Sequence, residues 1–412
     1  MTVTFVAAVL VAGGVFYGLV ILLDFQEIDS TAKLDAKTLF DLVKLSFGVV
    51  AGSGALVALV VAYRRQRVDE AGAHREATRL HTERFSQAVD KLGSDSPAVR
   101  LGGVHALAGL ANDAPDDSLR QTCIDVLCAY LQLPFTPDPG DDPAHQEEHH
   151  RYLAFRKVRH TILRLIGDHY RRPRGTHRSW QGCDLDLTGV TIDSSMDFGG
   201  ATFSGGTVNF GGATFSDSVV SFAGVTFSGS TVHFNGATFS DGVVAFNGST
   251  FSGGTVSFGG ATFCGSTVHF NGATFSDGVV AFGGSTFSGG MVLFSHAKFS
   301  GGEVHFTGAR FSGGAVHFGD AVFSGGEVVF RSAMFFDGVV AFGDAVFSGG
   351  EVYFNWARFS GGEVHFTGAR FSGGEVNFGD ATGSAPNELL AAVGAPVPAT
   401  VTLPADWLSP TP

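Results

Sequence analysis

The sequence predicts an α+β multidomain chain: a two-helix transmembrane hairpin, an α-helical middle region and a long β-solenoid. Three observations carry this. Two long uncharged runs open the chain, apolar residues at helical spacing fill its middle, and a 12-residue period governs its second half. Long apolar runs suit a bilayer. Helical spacing of apolar residues marks amphipathic helices, and a fixed period marks stacked repeats.

Met1 to Leu23 contains no charged side chain and is long enough to span a bilayer. Leu45 to Tyr63 is a second uncharged run, followed at once by Arg64, Arg65 and Arg67. The stretch between them carries Asp24, Glu27, Asp29 and Asp35 against Lys33 and Lys37. The positive-inside rule then puts the Arg cluster, both termini and the bulk of the chain in the cytoplasm. The expected location is the cell membrane, multi-pass, with the lipid bilayer as one partner. A cleaved signal peptide is the rival reading of the first run, but a basic leading region and a small-residue cleavage site are missing. Both runs contain GxxxG, Gly14 to Gly18 and Gly48 to Gly52, which lets helices approach closely. That serves either a hairpin or a homodimer through the spans. Neither run holds a charge, so a channel or proton relay has no support.

Residues 66–171 predict helices. Ser96-Pro97 is an N-cap with proline at the first helical position. Ala98 to Ala111 places Val99, Leu101, Val104, Leu107 and Leu110 mostly on one side. The next helix begins near Asp116 and carries Leu119, Cys123, Ile124, Leu127 and Leu131 at helical spacing, so its cysteines are core residues. A Pro/Asp/Gly linker, Pro134 to Pro143, precedes a helix ending near Tyr170. His145-Gln-Glu-Glu-His149-His150 is not HExxH, because Gln follows the first histidine. Two histidines four apart would hold a metal only weakly, so no metal site is assigned. Arg171, Arg172, Arg174 and Arg178 are expected to solvate the junction with the solenoid, with anionic lipid as the alternative contact.

The expected segments are a 1–65 transmembrane hairpin, a 66–133 helical domain and a 134–144 linker. A 145–178 helix capping the solenoid, the 179–381 solenoid itself and a 382–412 cap or tail follow. The 412 residues include 58 Gly and 40 Phe, and charged residues are only 16%. Disorder does not go with so much Phe. The net charge of −13 argues against a nucleic-acid binder. Four cysteines, Cys123, Cys128, Cys183 and Cys264, are too few and too irregular for a disulfide framework.

From Phe198 to Phe378 one unit reads Ala201-Thr-Phe203-Ser-Gly-Gly-Thr-Val208-Asn-Phe210-Gly-Gly. Phe returns every twelfth position from 203 to 371, and again from 198 to 378; Val does so from 208 to 376. Ser230 to Phe246 is copied at Ser266 to Phe282. In the phrases Ala-x-Phe-x-Gly and Val-x-Phe-x-Gly, residues two apart share a side of an extended chain. Ala, Val and Phe therefore face inward. The residue between them faces water: Thr202, Thr214, Thr226 and Thr238 in one series, Asn209, Ser221, His233 and Ala245 in the other. The glycines fall at corners.

This pattern resembles the pentapeptide-repeat family, whose unit is written A(D/N)Lxx with Leu or Phe at its centre. The likeness covers the array; Trp180-Gln-Gly-Cys183-Asp-Leu185-Asp-Leu187 looks like a degenerate first coil. Ser96-Pro-Ala-Val-Arg-Leu-Gly-Gly and Arg120-Gln-Thr-Cys-Ile-Asp-Val-Leu-Cys-Ala-Tyr resemble the helical region of membrane-anchored, actinobacterial-type members. The resemblance implies a right-handed quadrilateral β-helix. Family coils hold 20 residues in four faces; here two extra residues, such as Gly206 and Thr207, are expected at alternate corners. Two 12-residue units then make a coil of about 24. The rival, a flat 12-residue coil, would crowd two Phe, a Val and usually an Ala into one narrow turn.

Catalysis needs unlike groups converging in a pocket. The array instead offers identical ladders on a filled rod, so no catalytic, cofactor or metal residue is assigned and a non-enzyme is expected. His233, His269, His305, His317 and His365 occupy the outward slot, where stacked coils would align them. Some soluble members of the resembled family mimic DNA and bind type II topoisomerases. Residues 198–381 hold 12 Asp/Glu and 5 Lys/Arg, roughly one net charge per 5 Å of rod at strand spacing, against about one per 1.7 Å in B-DNA. The expected function is a membrane-tethered cytoplasmic interaction scaffold with a protein partner not specified by the sequence. The alternative is the DNA mimic.

Overall fold

The computed structural model of the protein describes residues 13, 14, 17, 18, 21, 35–135, 138–140 and 142–408. Apart from those few positions, the first predicted span and the acidic loop after it lie outside the described residues, as do residues 136, 137 and 141 of the linker. The chain forms two compact units, one reaching to Leu80 and one beginning at His81.

Helix α1, Ala36–Leu92, is continuous for 57 residues. It is the one helix among the described residues long and apolar enough to cross a membrane. Phe40, Phe47 and Leu59 on it are largely exposed. Among the described residues nothing lies within 4 Å of a Cβ built at Gly48 or Gly52.

Helices α2 (Pro97–Asn112), α3 (Asp117–Gln132) and α4 (Gln146–Tyr170) begin the second unit together with the end of α1. Proline opens α2, but the Ser96 side chain makes no capping bond. Asp116 does cap α3: its carboxylate accepts from Leu119 N at 2.8 Å. Val104, Leu107, Cys123, Ile124, Leu127, Cys128, Ile162 and Ile166 are buried between these helices. Helical periodicity thus produced most of the expected apolar faces, and packing them together removes them from water, but Val99 at the start of α2 is exposed rather than part of its face.

Beyond Trp180 the chain winds as a β-solenoid of about nine turns. Its strands form two parallel sheets, and partners in adjacent coils stand 24 residues apart: Thr250 with Thr274, Val256 with Val280, Thr262 with Thr286. Successive 12-residue units therefore alternate between the sheets. The 24-residue coil replaces the flat 12-residue alternative. A tight turn such as Phe258–Ala261, closed by Ala261 N donating to Phe258 O at 2.9 Å, joins one sheet to the other.

The two extra residues are not at these corners. They lie inside eight-residue strands such as Thr250–Ser257, where the pairing register shifts around Gly253 and Gly254. Gly254 has φ of +76°, and a Cβ there would collide with the Ser230 carbonyl of the neighbouring coil. Positive φ and close backbone approach both demand glycine.

Inside, Phe258, Phe282, Phe306 and Phe330 stack with parallel rings at 4.7–4.8 Å, which is the rise of one coil. Neighbouring columns meet edge to face, as Phe246 does with Phe258 at 5.9 Å and 82°. Each buried Phe contributes roughly 2–3 kcal/mol by area removed from water. Ser249 and Ser285 replace Ala in the small-residue column, and each hydroxyl donates to a Phe carbonyl, Phe222 O and Phe258 O, at 2.6 Å.

Both ends of the stack are covered. At the N-terminal end Tyr170 packs on Phe198 and Phe203, at 5.7 and 5.3 Å. Gln121 of α3 exchanges two hydrogen bonds with the Asp184 backbone. Arg156 and His160 of α4 both donate to Asp193, at 2.7 and 3.0 Å, which holds its carboxyl well below the usual carboxylate range despite burial. At the C-terminal end Trp407 lies edge-on to Phe359, and its Nε1 donates to Gly383 O at 2.8 Å. Leu389, Val393 and Val401 complete that cover. Open solenoid ends invite edge pairing, and these side chains block it.

Candidate functional site

Because the core is filled, the chemistry of the solenoid lies on its outer faces. In the eight-residue strands the first, sixth and eighth residues lie outside the core, and the 24-residue register lines each up with its equivalents above and below. In the N-terminal coils these ladders are neutral: Thr202, Thr226, Thr250 and Thr274 run along one sheet, and Thr214, Thr238, Thr262 and Thr286 along the other.

From Lys298 onward charge appears. Glu303, Glu327, Glu351 and Glu375 pair in register in four successive coils of one sheet. Tyr353 donates its hydroxyl to Glu351 at 2.6 Å, and His305 donates to Glu303 at 2.9 Å. The Glu351 carboxylate, with burial and the neighbouring Glu375 and Glu327, pushes the Tyr353 phenol up to about 12. The equivalent positions of the other sheet are mostly apolar, Val219, Val243, Thr267, Met291, Ala315 and Val339, until Glu363 in the next coil. Sequence reasoning missed this acidic ladder. The 12-residue period hides it, whereas the same letters written in rows of 24 place the four glutamates in one column.

The five histidines do occupy the outward slot but never stack. One sheet carries His233, Ser257, Ala281 and His305 in successive coils; the other carries His269, Leu293, His317, Ala341 and His365. Alternation of the units between sheets separates them. His269 is half-buried, and burial pulls its pKa down.

Elsewhere, His149 pairs with Asp138 at 2.7 Å. Among the described residues no three His, Cys, Asp or Glu side chains form a metal-binding group. Arg171 binds Asp168 and Asp197, and Arg174 donates to Ser204, so these two arginines tie α4 and its following loop to the first coils. Cys123 and Cys128 are buried, and desolvation raises their thiols to about 11 and 12. Cys183 is held up at about 11, mainly by burial, and Cys264 is exposed.

A family model described as pentapeptide repeats, in nine copies, matches residues 336–382. No curated protein matches the chain.

Proposed function

The repeat array belongs to the pentapeptide-repeat family, and from that premise we propose that the chain is a membrane-tethered scaffold whose solenoid binds a protein partner. The observation that carries this is the outer surface: long in-register ladders on a rod whose interior is filled with phenylalanine. Such a surface suits a partner that contacts several coils at once. Pentapeptide-repeat solenoids are structural and interaction folds, which supports a non-enzymatic reading. The exposed apolar segment of α1 supports the tether, and the Arg64, Arg65 and Arg67 cluster supports a cytoplasmic solenoid. The right-handed winding typical of the family is part of the same proposal.

The test is site-specific photocrosslinking in native membranes, with the crosslinker placed in turn at Tyr353, Val219 and Thr250. A discrete protein adduct from one face supports the reading. Lipid adducts alone, or a substrate-dependent activity abolished by one substitution, would sink it.

The acidic ladder favours a second reading, the DNA mimic. Its four carboxylates are stacked one per coil, about 4.8 Å apart by strand spacing, and the same sheet carries Lys298 and Arg370. Inhibition of purified gyrase that weakens steeply with salt would favour this mimic over the scaffold.

A further inference from the structure

Arg159 of α4 is the buried cation of the helical region, only 7% exposed. It makes no hydrogen bond and no ion pair with any described residue. Its neighbours on the same helix, Arg156 and His160, take up the nearby carboxylate of Asp193. What Arg159 does touch is a ring: its guanidinium lies 5.0 Å over Phe135. Burial pulls its pKa below the ordinary value. The Asp193 carboxylate offsets that desolvation only in part, because it is already held by Arg156 and His160, and no hydrogen bond repays the rest. Its nitrogens are not among the sealed, unpartnered polar atoms of the described residues, so the guanidinium opens onto adjoining space where a partner from outside the protein can reach it.

The space beside it supplies room for one. A cavity of about 500 Å³ lies between α2, α3, α4 and the linker. Arg159 lines it together with Arg100, Arg151, Phe135, Tyr152 and Phe155, and Glu148 is its one acidic residue. Arg100 is partly engaged: it donates to Tyr130 Oη at 3.1 Å and to Ser94 O, and sits 4.6 Å over Phe155. Arg151 lies 5.7 Å from the same ring. Phe135 and Tyr152 stack at 5.1 Å. Three guanidiniums against one carboxylate make the cavity positive, which excludes a metal cation. Its aromatic walls and its volume exceed what a bare inorganic anion fills.

We propose that this cavity binds a small organic anion, with a carboxylate or phosphate head forked by Arg159 and an apolar or aromatic body against Phe135, Tyr152 and Phe155. Planar guanidinium donors match two oxygens of such a head. Arg151 at the rim adds attraction without being desolvated. The head comes either from a soluble molecule or from an anionic lipid, and the chemistry of the site is the same for both.

The experiment uses the full chain, purified in detergent and in nanodiscs, with phenyl phosphate, benzoate and inorganic phosphate as probes in calorimetry. Phenyl phosphate binds at least about tenfold more tightly than inorganic phosphate, because only the former fills the aromatic part of the cavity. Arg159→Met weakens phenyl phosphate by about tenfold or more, while the unliganded protein melts at the same or a higher temperature, since a desolvated charge without a hydrogen bond has gone. Arg151→Ala weakens it by a few-fold only. Nanodiscs containing phosphatidic acid that block the probe assign the head to a lipid; nanodiscs that do not block it assign the head to a soluble anion. The proposal is overturned if wild-type protein binds neither phenyl phosphate nor benzoate, or if Arg159→Met binds as wild type does. Should Arg159→Met fail to fold, unchanged binding by Arg151→Ala overturns it.

Discussion

His169 stacks on Trp180 with ring centroids 4.1 Å apart, and Asn112 locks the pair. The Asn112 amide donates to His169 Nε2 at 3.1 Å, while its oxygen accepts from Trp180 Nε1 at 3.1 Å. His169 Nδ1 donates to Leu165 O at 2.6 Å. Every atom in this circuit has its role only when His169 is neutral. Two helices, α2 and α4, and the start of the solenoid thereby share one hydrogen-bonded joint.

That joint gives the fold a pH dependence. Burial, the main cause, lowers the His169 pKa; Arg172 and Arg178 reinforce the shift, and Leu165 O and Asp168 oppose it. A histidine depressed in the folded state contributes stability that is full above its unfolded pKa, about 6.5, and lost as pH falls through the folded value. Thermal melts should therefore drop between pH 7.5 and pH 5. The drop should shrink in His169→Phe, which keeps the stack but cannot be protonated.

The coil length sets which deletions the rod survives. Removing residues 250–273 excises one whole coil and leaves every column continuous. A single cooperative melt should persist. Removing five residues, 252–256, inverts which side chains face inward and should abolish folding of the coils beyond it. Within the columns, Phe282→Ala leaves a void between Phe258 and Phe306 and should cost about 3–5 kcal/mol in denaturant titration.

Thiol chemistry separates the four cysteines. Cys264 is exposed, whereas Cys123 and Cys128 are buried and poorly ionised. Brief alkylation of native protein, read by mass spectrometry, should label Cys264 first. Rapid labelling of Cys128 would contradict the helical core described here.

Stacked like charges on a sheet repel. Glu327→Gln, between Glu303 and Glu351, should raise stability by up to about 0.5 kcal/mol in low salt, with the gain fading as salt screens the ladder. In Glu351→Gln the Tyr353 phenol loses its carboxylate acceptor, and its titration should move down from about 12 towards the ordinary tyrosine value.

The solenoid was legible because Phe, Val and Ala recur in phase, and the inward face of an extended chain follows from alternation alone. The bulge was not. Gly205-Gly206 and Gly211-Gly212 are the same letters, and only register against the neighbouring coil tells a mid-strand shift from a corner. The helical faces were legible from spacing, as Cys123, Ile124 and Leu127 show. Their partners were not, since Gln121 meets Asp184 and Asn112 meets Trp180 across some sixty residues of chain. For the same reason the setting of Arg159, over Phe135 and without a hydrogen bond, was invisible. Nothing in its local sequence says that Asp193 is already taken.

Alternation of units between the two sheets has a further consequence for the copied phrases. Ser230 to Phe246 and its copy, Ser266 to Phe282, are offset by one and a half coils. His233 with its Asn235 neighbour therefore emerges on one sheet, and His269 with Asn271 on the other. The His305–Glu303 and His365–Glu363 pairs repeat the relationship. Duplication by an odd number of half-coils has made the rod two-sided, with the same short epitope displayed back to back. A binder that reads this epitope meets two valences on one molecule, so bridging and avidity come from the winding itself without any second subunit.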